Sequence, residues 1–367
     1  STMPNQLRHA CRAVWSRVTA KLSRRYDSRG ITPPVSVVLR AVLPAALAVL
    51  PVLSAGAASP SAIRVGYVDL VNAQIVAMAL HLTEKSVQVP VTWIKFGSGG
   101  DLNRAVAAGQ IDFGGVGNPP ATIGITRGLP YEGIFVLDEL GPVESLVARP
   151  DITSIAALKG KTIATPFGST SHYELIAALA GAGLNPAQAK ILDMDPPDMF
   201  AAWSRKDIDA AYVWEPILGK MVASGGKILM DSGTMAQRGY PTWDVGVVMK
   251  DFAAKYPATV VAYLKAECQA IDYWHQHPKE TAALIAQHLH VPLAGNEHEM
   301  QGTYMVPCKQ QLTADYLGTP GHPGKLAATL VATAKFLKSQ NRLPSVQPDA
   351  VYAGFINAGF LQQAMQP

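Results

Sequence analysis

Cysteine is scarce in this chain of 367 residues, three in all, at Cys11, Cys268 and Cys308. No Cys-x-x-Cys and no His-Glu-x-x-His occurs, so the usual zinc-holding spacings are lacking. His275 and His277, like His288 and His290, stand two apart in helical sequence, a spacing that turns their rings to different faces. Long hydrophobic runs are wanting too: residues 41–53 are apolar but carry Pro44 and Pro51, and they fall short of the roughly 20 residues of a membrane helix. Net positive charge is confined to one end. Residues 1–57 hold eight Lys or Arg against Asp27; of 31 basic and 27 acidic residues in the chain, 23 and 26 remain for residues 58–367, a net charge of −3. A domain of that sign lacks the basic surface that nucleic acid demands, so a nucleic-acid partner is excluded.

The basic end, the apolar run and the small residues Ser54-Ala55-Gly56-Ala57-Ala58 together read as a secretory signal over residues 1–57, cleaved after Ala57. Arg24-Arg25 stands well upstream of the apolar run and Asp27 follows closely, which fits a twin-arginine signal poorly. No cysteine follows the apolar run directly, so nothing supports a lipid anchor there. Export makes the two remaining cysteines informative. Cys268 and Cys308 would sit in an oxidising compartment, where two thiols usually pair; the alternative is two separately buried thiols.

Residues 58–367 alternate short apolar strands with helical stretches, which predicts an α/β fold of two lobes, each a sheet flanked by helices. Strands are predicted at 63–67, 91–96, 111–114 and 133–136, then at 162–164, 190–192, 210–213 and 227–229. Helices are predicted between them at 73–82, 101–108, 120–127, 173–182, 197–204 and 216–223. After the strand at 245–249 the pattern turns helical, with Pro257 and Pro278 at helix starts. This divides the chain into a first part of lobe 1 (58–143), lobe 2 (144–242), a largely helical return to lobe 1 (243–340) and a helical tail (341–367). Gly141-Pro142-Val143-Glu144 and Pro241-Thr242-Trp243-Asp244 become crossovers, with a ligand cleft between the lobes.

The stretch Thr165-Pro166-Phe167-Gly168-Ser169-Thr170-Ser171-His172-Tyr173 is a hydroxyl-rich turn leading into a helix. Hydroxyls, unpaired N–H groups and the helix dipole converge at such a turn to hold an anion; the plainer alternative is an N-cap by Ser or Thr. No Walker lysine or Gly-x-Ser-x-Gly elbow stands nearby, so capture of an oxyanion is better supported than chemistry on one. Trp214 and Glu215 follow the strand at 210–213, where open α/β sheets bind ligands. A core tryptophan and a helix cap are the alternatives for these two residues.

Six segments, taken in order, carry a resemblance: Ile63-Arg64-Val65-Gly66-Tyr67, Lys95-Phe96-Gly97-Ser98-Gly99, the hydroxyl turn from Pro166 to Tyr173, Ala201-Ala202-Trp203 with Asp207-Ile208-Asp209, Tyr212-Val213-Trp214-Glu215-Pro216, and Pro241-Thr242-Trp243-Asp244-Val245. They resemble the periplasmic taurine-binding proteins of the sulfonate/nitrate/taurine ABC transporter family. The resemblance implies a type II-like two-lobed receptor that is monomeric, cofactor-free and not an enzyme. Such a receptor closes on a small sulfonate and hands it to a membrane permease. Ser169, Thr170, Ser171, His172 and Tyr173 match the segment that would hold the sulfonate, and Asp244 the counter-charge for the ammonium, with Glu144 a second candidate. Trp214 would pack on the ethyl spacer.

Two segments depart from the family pattern. Gly117-Asn118-Pro119-Pro120 replaces a Ser-Ser pair and leaves the Asn118 amide as the polar side chain, and Val68-Asp69-Leu70 replaces a Gln-Thr-Ser segment and adds Asp69 near the mouth. Nitrate, an alkanesulfonate and a betaine are the alternative cargoes. A carboxylate at Asp244 disfavours nitrate, and a betaine asks for more aromatic walls than Trp214, Tyr173 and Trp243 supply. An enzyme on the same scaffold, making pyrimidine precursors with His172 and pyridoxal phosphate, is the remaining alternative.

Overall fold

The computed structural model describes residues 58–293 and 299–366; the predicted signal segment lies outside them. The chain first lays down three parallel strands, β1 (Ile63–Val68), β2 (Val91–Phe96) and β3 (Phe113–Gly117), and then β4 (Tyr131–Leu140). It leaves through residues 141–143 to build a second sheet from β5 (Glu144–Ala148), β6 (Thr162–Thr165), β7 (Lys190–Asp193), β8 (Ala210–Trp214) and β9 (Lys227–Asp231), in the order β7-β6-β8-β5-β9. It returns as β10 (Trp243–Met249), which enters antiparallel between β3 and β4. With β11 (Thr303–Tyr304) the first sheet reads β11-β4-β10-β3-β1-β2. Each lobe therefore combines parallel strands with an antiparallel strand that opens directly from a crossover, β5 in one sheet and β10 in the other, and the first sheet adds the short antiparallel β11 at its edge.

The helices cover both sheets. α1 (Gln74–Ala79), α2 (Leu82–Val87), α3 (Gly99–Ala107) and α4 (Asn118–Thr126) belong to the first half. α5 (Thr170–Gly181), α6 (Pro196–Ser204), α7 (Ile217–Ala223) and α8 (Ser232–Gln237) belong to the second. The return supplies α9 (Lys250–Lys255), α10 (Pro257–Gln276), α11 (Pro278–Leu289), α12 (Cys308–Gln311), α13 (Lys325–Ser339), α14 (Asp349–Ala353) and α15 (Gly359–Ala364). Local chemistry sets several starts. Ser98 caps α3 by accepting the Asp101 N–H, and Pro257 and Pro278 sit at the first position of their helices, where the missing N–H is harmless.

β10 is buried from Trp243 to Val248, as expected for a strand with neighbours on both sides and helices over both faces. The first core stacks Phe113 on Tyr263, ring centroids 4.2 Å apart. On the other side of the cleft Tyr173 packs edge-on against Phe336 of α13, at 5.4 Å, so the C-terminal part of the chain touches the second half as well as the first. A disulfide joins Cys268 of α10 to Cys308 of α12, with 5.7 Å between their Cα atoms. Among the described residues no helix is long and apolar enough to cross a membrane.

Several elements differ from the sequence reading. The helix predicted over 73–82 is split into α1 and α2, because His81 takes a left-handed backbone (φ 54°) between them. β3 begins at Phe113, two residues later than predicted. The segment after Val143 is not a crossover loop: Glu144 opens β5 and pairs with Trp214 of β8.

Candidate functional site

The ends of β3 and β10 face the start of α5 and β5 across a cavity of about 30 Å3, lined by Val68, Gly117 and Asp244 on one side and Glu144, Thr170 and Trp214 on the other. That volume holds one or two waters. Val68 and Trp214 also line a wider cleft of about 420 Å3, whose rim carries Asp69, Lys95, Asp195 and Lys220. A buried pocket thus adjoins an open mouth between the lobes.

The hydroxyl turn is more fully used by the protein itself than the sequence suggested. α5 begins at Thr170, three residues earlier than predicted. Ser169 is its N-cap, with Oγ accepting the His172 N–H at 3.2 Å and donating to the Pro166 carbonyl at 2.6 Å. Thr170 Oγ1 donates to Glu144 Oε1 at 2.8 Å and to Oε2 at 3.0 Å, and Ser171 Oγ donates to the same carboxyl. These hydroxyls therefore hold Glu144 in place and do not point outward. Unlike the His172 N–H, the Thr170 and Ser171 N–H groups make no hydrogen bond to the described residues, and they stand at the positive end of a twelve-residue helix.

Glu144 is 2% exposed, and its carboxyl is raised well above the usual range, first by burial and then by Glu174, against the pull of the Ser171 and Thr170 hydroxyls. Asp244, 7% exposed, is pushed up to about 6 by burial, with a hydrogen bond to Asp138 opposing. The site thus brings two carboxyl groups to one cavity from opposite lobes. Trp214 lines it beside them.

The other expected residues lie elsewhere. His172 is stacked on Phe167, ring centroids 4.5 Å apart, and its Nδ1 accepts the Gly168 N–H at 3.1 Å. Burial, helped by Arg342, pushes its pKa down to about 4, so the ring is neutral. Tyr173 turns away to pack against Phe336 and Tyr240. Glu215 does not line the cavity but accepts the Gly219 N–H at 2.7 Å, the helix-cap alternative. Asn118 is spent on the second crossover: Oδ1 accepts the Trp243 N–H at 2.9 Å, and Nδ2 donates to the Pro241 carbonyl at 3.3 Å. Asp69 sits at the outer rim, paired with Lys95 at 3.2 Å and close to His288 at 3.5 Å.

Sequence reasoning missed two buried acids. Glu174 of α5 accepts from Ser232 Oγ at 2.5 Å and Thr242 Oγ1 at 2.8 Å, tying the helix to the second crossover. Asp138 of β4 lies across from Asp244 of β10 and accepts the Asn72 amide at 3.0 Å. The sequence carried a faint signal for Glu174, an acid set directly before the apolar run Leu175–Ala180.

Burial also leads in pushing Glu174, Glu215 and Glu267 up to about 7 each. Their folded values exceed the unfolded ones, so the native state binds the extra protons. The stability they contribute is present in full below about pH 4.3, the ordinary value of a glutamate, and is lost as pH rises through about 7. The thermal midpoint is accordingly expected to fall between about pH 5 and about pH 8. A scan in which it rises across that interval contradicts this reading of the buried acids.

Two sheet-centred lobes joined by two crossovers around a buried polar cavity make a two-lobed periplasmic binding protein fold. The chain belongs to the NMT1-like family, whose pattern matches residues 56–290. It is 36% identical over 308 residues to the taurine-binding periplasmic protein of Escherichia coli strain K12, covering 82% of this chain and 92% of that protein. Among solved structures it is similar to the alkanesulfonate-binding protein SsuA from Xanthomonas axonopodis pv. citri bound to MOPS, with a TM-score of 0.70, 23% identity, and coverage of 81% of this chain and 99% of that one. The desulfurization enzyme DSZB shares the fold at a TM-score of 0.59 and 15% identity, covering 83% of this chain and 99% of that one. At such identities the structural likenesses show the fold alone.

Proposed function

We propose that the protein is the periplasmic receptor of an ATP-driven importer, exported with loss of residues 1–57, and that it captures taurine or a closely related aminosulfonate between its lobes for delivery to a membrane permease. The observation that carries this reading is the pair Glu144 and Asp244 facing one cavity that Ser169 and Thr170, at the start of α5, also line. The ammonium of the cargo is placed at the carboxyls. Its sulfonate is placed at the helix start, where backbone donors serve a permanent anion without a buried cation. Trp214 covers the spacer. A cavity of about 30 Å3 admits such a ligand only when the lobes part, with residues 58–143 and 243–340 moving against 144–242 about the crossovers and the tail riding with the first body.

Capture is favoured over catalysis because His172, the suspect for an enzyme, is neutral, stacked on Phe167 and already engaged at Nδ1. The working form is a monomer without cofactor or nucleic acid. Nitrate fits a pair of carboxyls poorly, because an anion lacks the positive charge that would offset bringing them together.

Calorimetric titration of residues 58–367 with taurine, methanesulfonate, nitrate and glycine betaine tests the proposal. Taurine is expected to bind most tightly. Silence for taurine with binding of nitrate would keep the receptor and remove the cargo; silence for all four would remove both.

A further inference from the structure

The strongest unexplained feature near the cavity is a second carboxyl behind Asp244. Asp138 and Asp244 are direct cross-strand partners on β4 and β10, so their side chains leave the same face of the sheet with Cβ atoms about 4.5–5.5 Å apart. Asp138 is 1% exposed and does not line the cavity. Its Oδ2 accepts the Asn72 amide at 3.0 Å, and Asn72 is itself fixed, its Oδ1 accepting the Gln74 N–H at 3.1 Å. Asp138 Oδ1 is buried and makes no hydrogen bond of good geometry among the described residues, with the Asp244 N–H the donor that pulls on this carboxyl. No lysine or arginine pairs with either acid among the described residues; the charged or titratable groups facing the pair are each other and Glu144 across the cavity.

Two carboxylates this close in a dry site cannot both ionise, so one proton is shared between them. The orphaned Oδ1 marks where it resides. A proton there turns an unsatisfied acceptor into a donor aimed at the neighbouring carboxylate. We propose that Asp138 is a positioning residue that remains protonated on Oδ1 and donates to Asp244, so that Asp244 alone presents a full negative charge to the ammonium of the cargo. Asn72 selects the arrangement, because its amide N–H prefers the oxygen that carries no proton. The direction of the shifts agrees: Asp138 is raised well above the usual range by burial and by Asp244, whereas the bond from Asp138 lowers Asp244. The outcome is a single, directed charge in place of two competing ones. This assignment deepens the proposed function and rests on it for the identity of the cargo, but not for the location of the proton.

Three variants and one spectroscopic readout on the whole protein test it. Asp138→Asn keeps a donor facing Asp244 and is expected to bind taurine within about threefold of the parent. Asp138→Ala removes the donor and is expected to weaken taurine about tenfold near pH 7, with most of the affinity recovered about one pH unit higher, where Asp244 ionises unaided. If Asp138→Asn lost as much affinity as Asp244→Asn, Asp138 would be a second counter-charge and the proposal would fall. An unchanged pH profile in Asp138→Ala would overturn it too. Infrared spectroscopy of the ligand-free parent near neutral pH is expected to show, beside the absorption of Glu144 and the other raised glutamates, a protonated-carboxyl component that is missing from the spectrum of Asp138→Asn. Persistence of the full band in that variant would refute the assignment whether or not taurine binds, and if Asp138→Ala failed to fold, this comparison would still decide. Silence of the parent toward taurine, with the band present, would instead count against the proposed cargo.

Discussion

Asp244→Asn is expected to weaken taurine by about 1.5–3 kcal/mol, the scale of a hydrogen bond to a charged group, or roughly 10- to 150-fold. The same change should leave ethanesulfonate, which has no ammonium, within about twofold of the parent. The substitution keeps the shape of the side chain at the cavity wall and removes its charge, so the two ligands separate lost charge from lost packing. Asp244 is pushed up to about 6, so the parent should show a related loss as pH falls. Below that value the carboxyl takes a proton, the counter-charge vanishes, and taurine affinity drops about tenfold per pH unit. Isothermal titration of the variant with both ligands decides the matter. Unchanged taurine affinity would remove Asp244 from the site.

Gly117→Ala should be nearly as damaging for a different reason. Gly117 ends β3 directly across from Asp244, and a Cβ at this position would run into Thr170 Cγ2 from the other lobe while lying 3.4 Å from Asp244 Oδ1. Its φ of −59° is ordinary for alanine, so the fold itself tolerates the change. What suffers is the approach of the two lobes. Overpacking of this kind typically costs about 1–3 kcal/mol, and here the penalty falls on closure over the ligand. Every sulfonate should therefore weaken together, by roughly 5- to 150-fold, with the thermal midpoint of the ligand-free protein little changed. A variant that binds taurine as the parent does would show that closure leaves more room between the lobes than this packing implies.

Much of this architecture was legible in the sequence because its signals are local. Ile63–Val68, Val91–Phe96 and Lys190–Asp193 are apolar runs bounded by turn residues, and Pro257 announces its helix. β5 was not legible. Its five residues are all buried, so it lacks the alternation of a half-exposed strand, and it opens on an acid after Gly-Pro-Val. The same blindness hid Asp138 and Glu174, since an acid within an apolar run gives no sign of which neutral groups will surround it once strands from distant parts of the chain pair. Glu144 and Asp244 line one cavity, and the hydroxyl turn has bonding partners that its sequence does not announce. The Thr170 and Ser171 hydroxyls are bonded to a carboxyl that reaches them because β5 runs beside β8. Ser169, Glu215 and Asn118 show the complementary lesson: their plain structural roles as cap, cap and crossover staple account for every bond their side chains make.

The central claim is that a protein carboxyl in the cavity, ionised at neutral pH, selects an amine-bearing sulfonate. It is tested most directly by titrating the parent protein with taurine and with ethanesulfonate at about pH 8 and about pH 5, an interval over which both ligands keep their charges and only the protein titrates. The account predicts a taurine preference of about tenfold or more at the higher pH that collapses at the lower one. Equal affinity for the two ligands at about pH 8, or a preference untouched by acid, would contradict it.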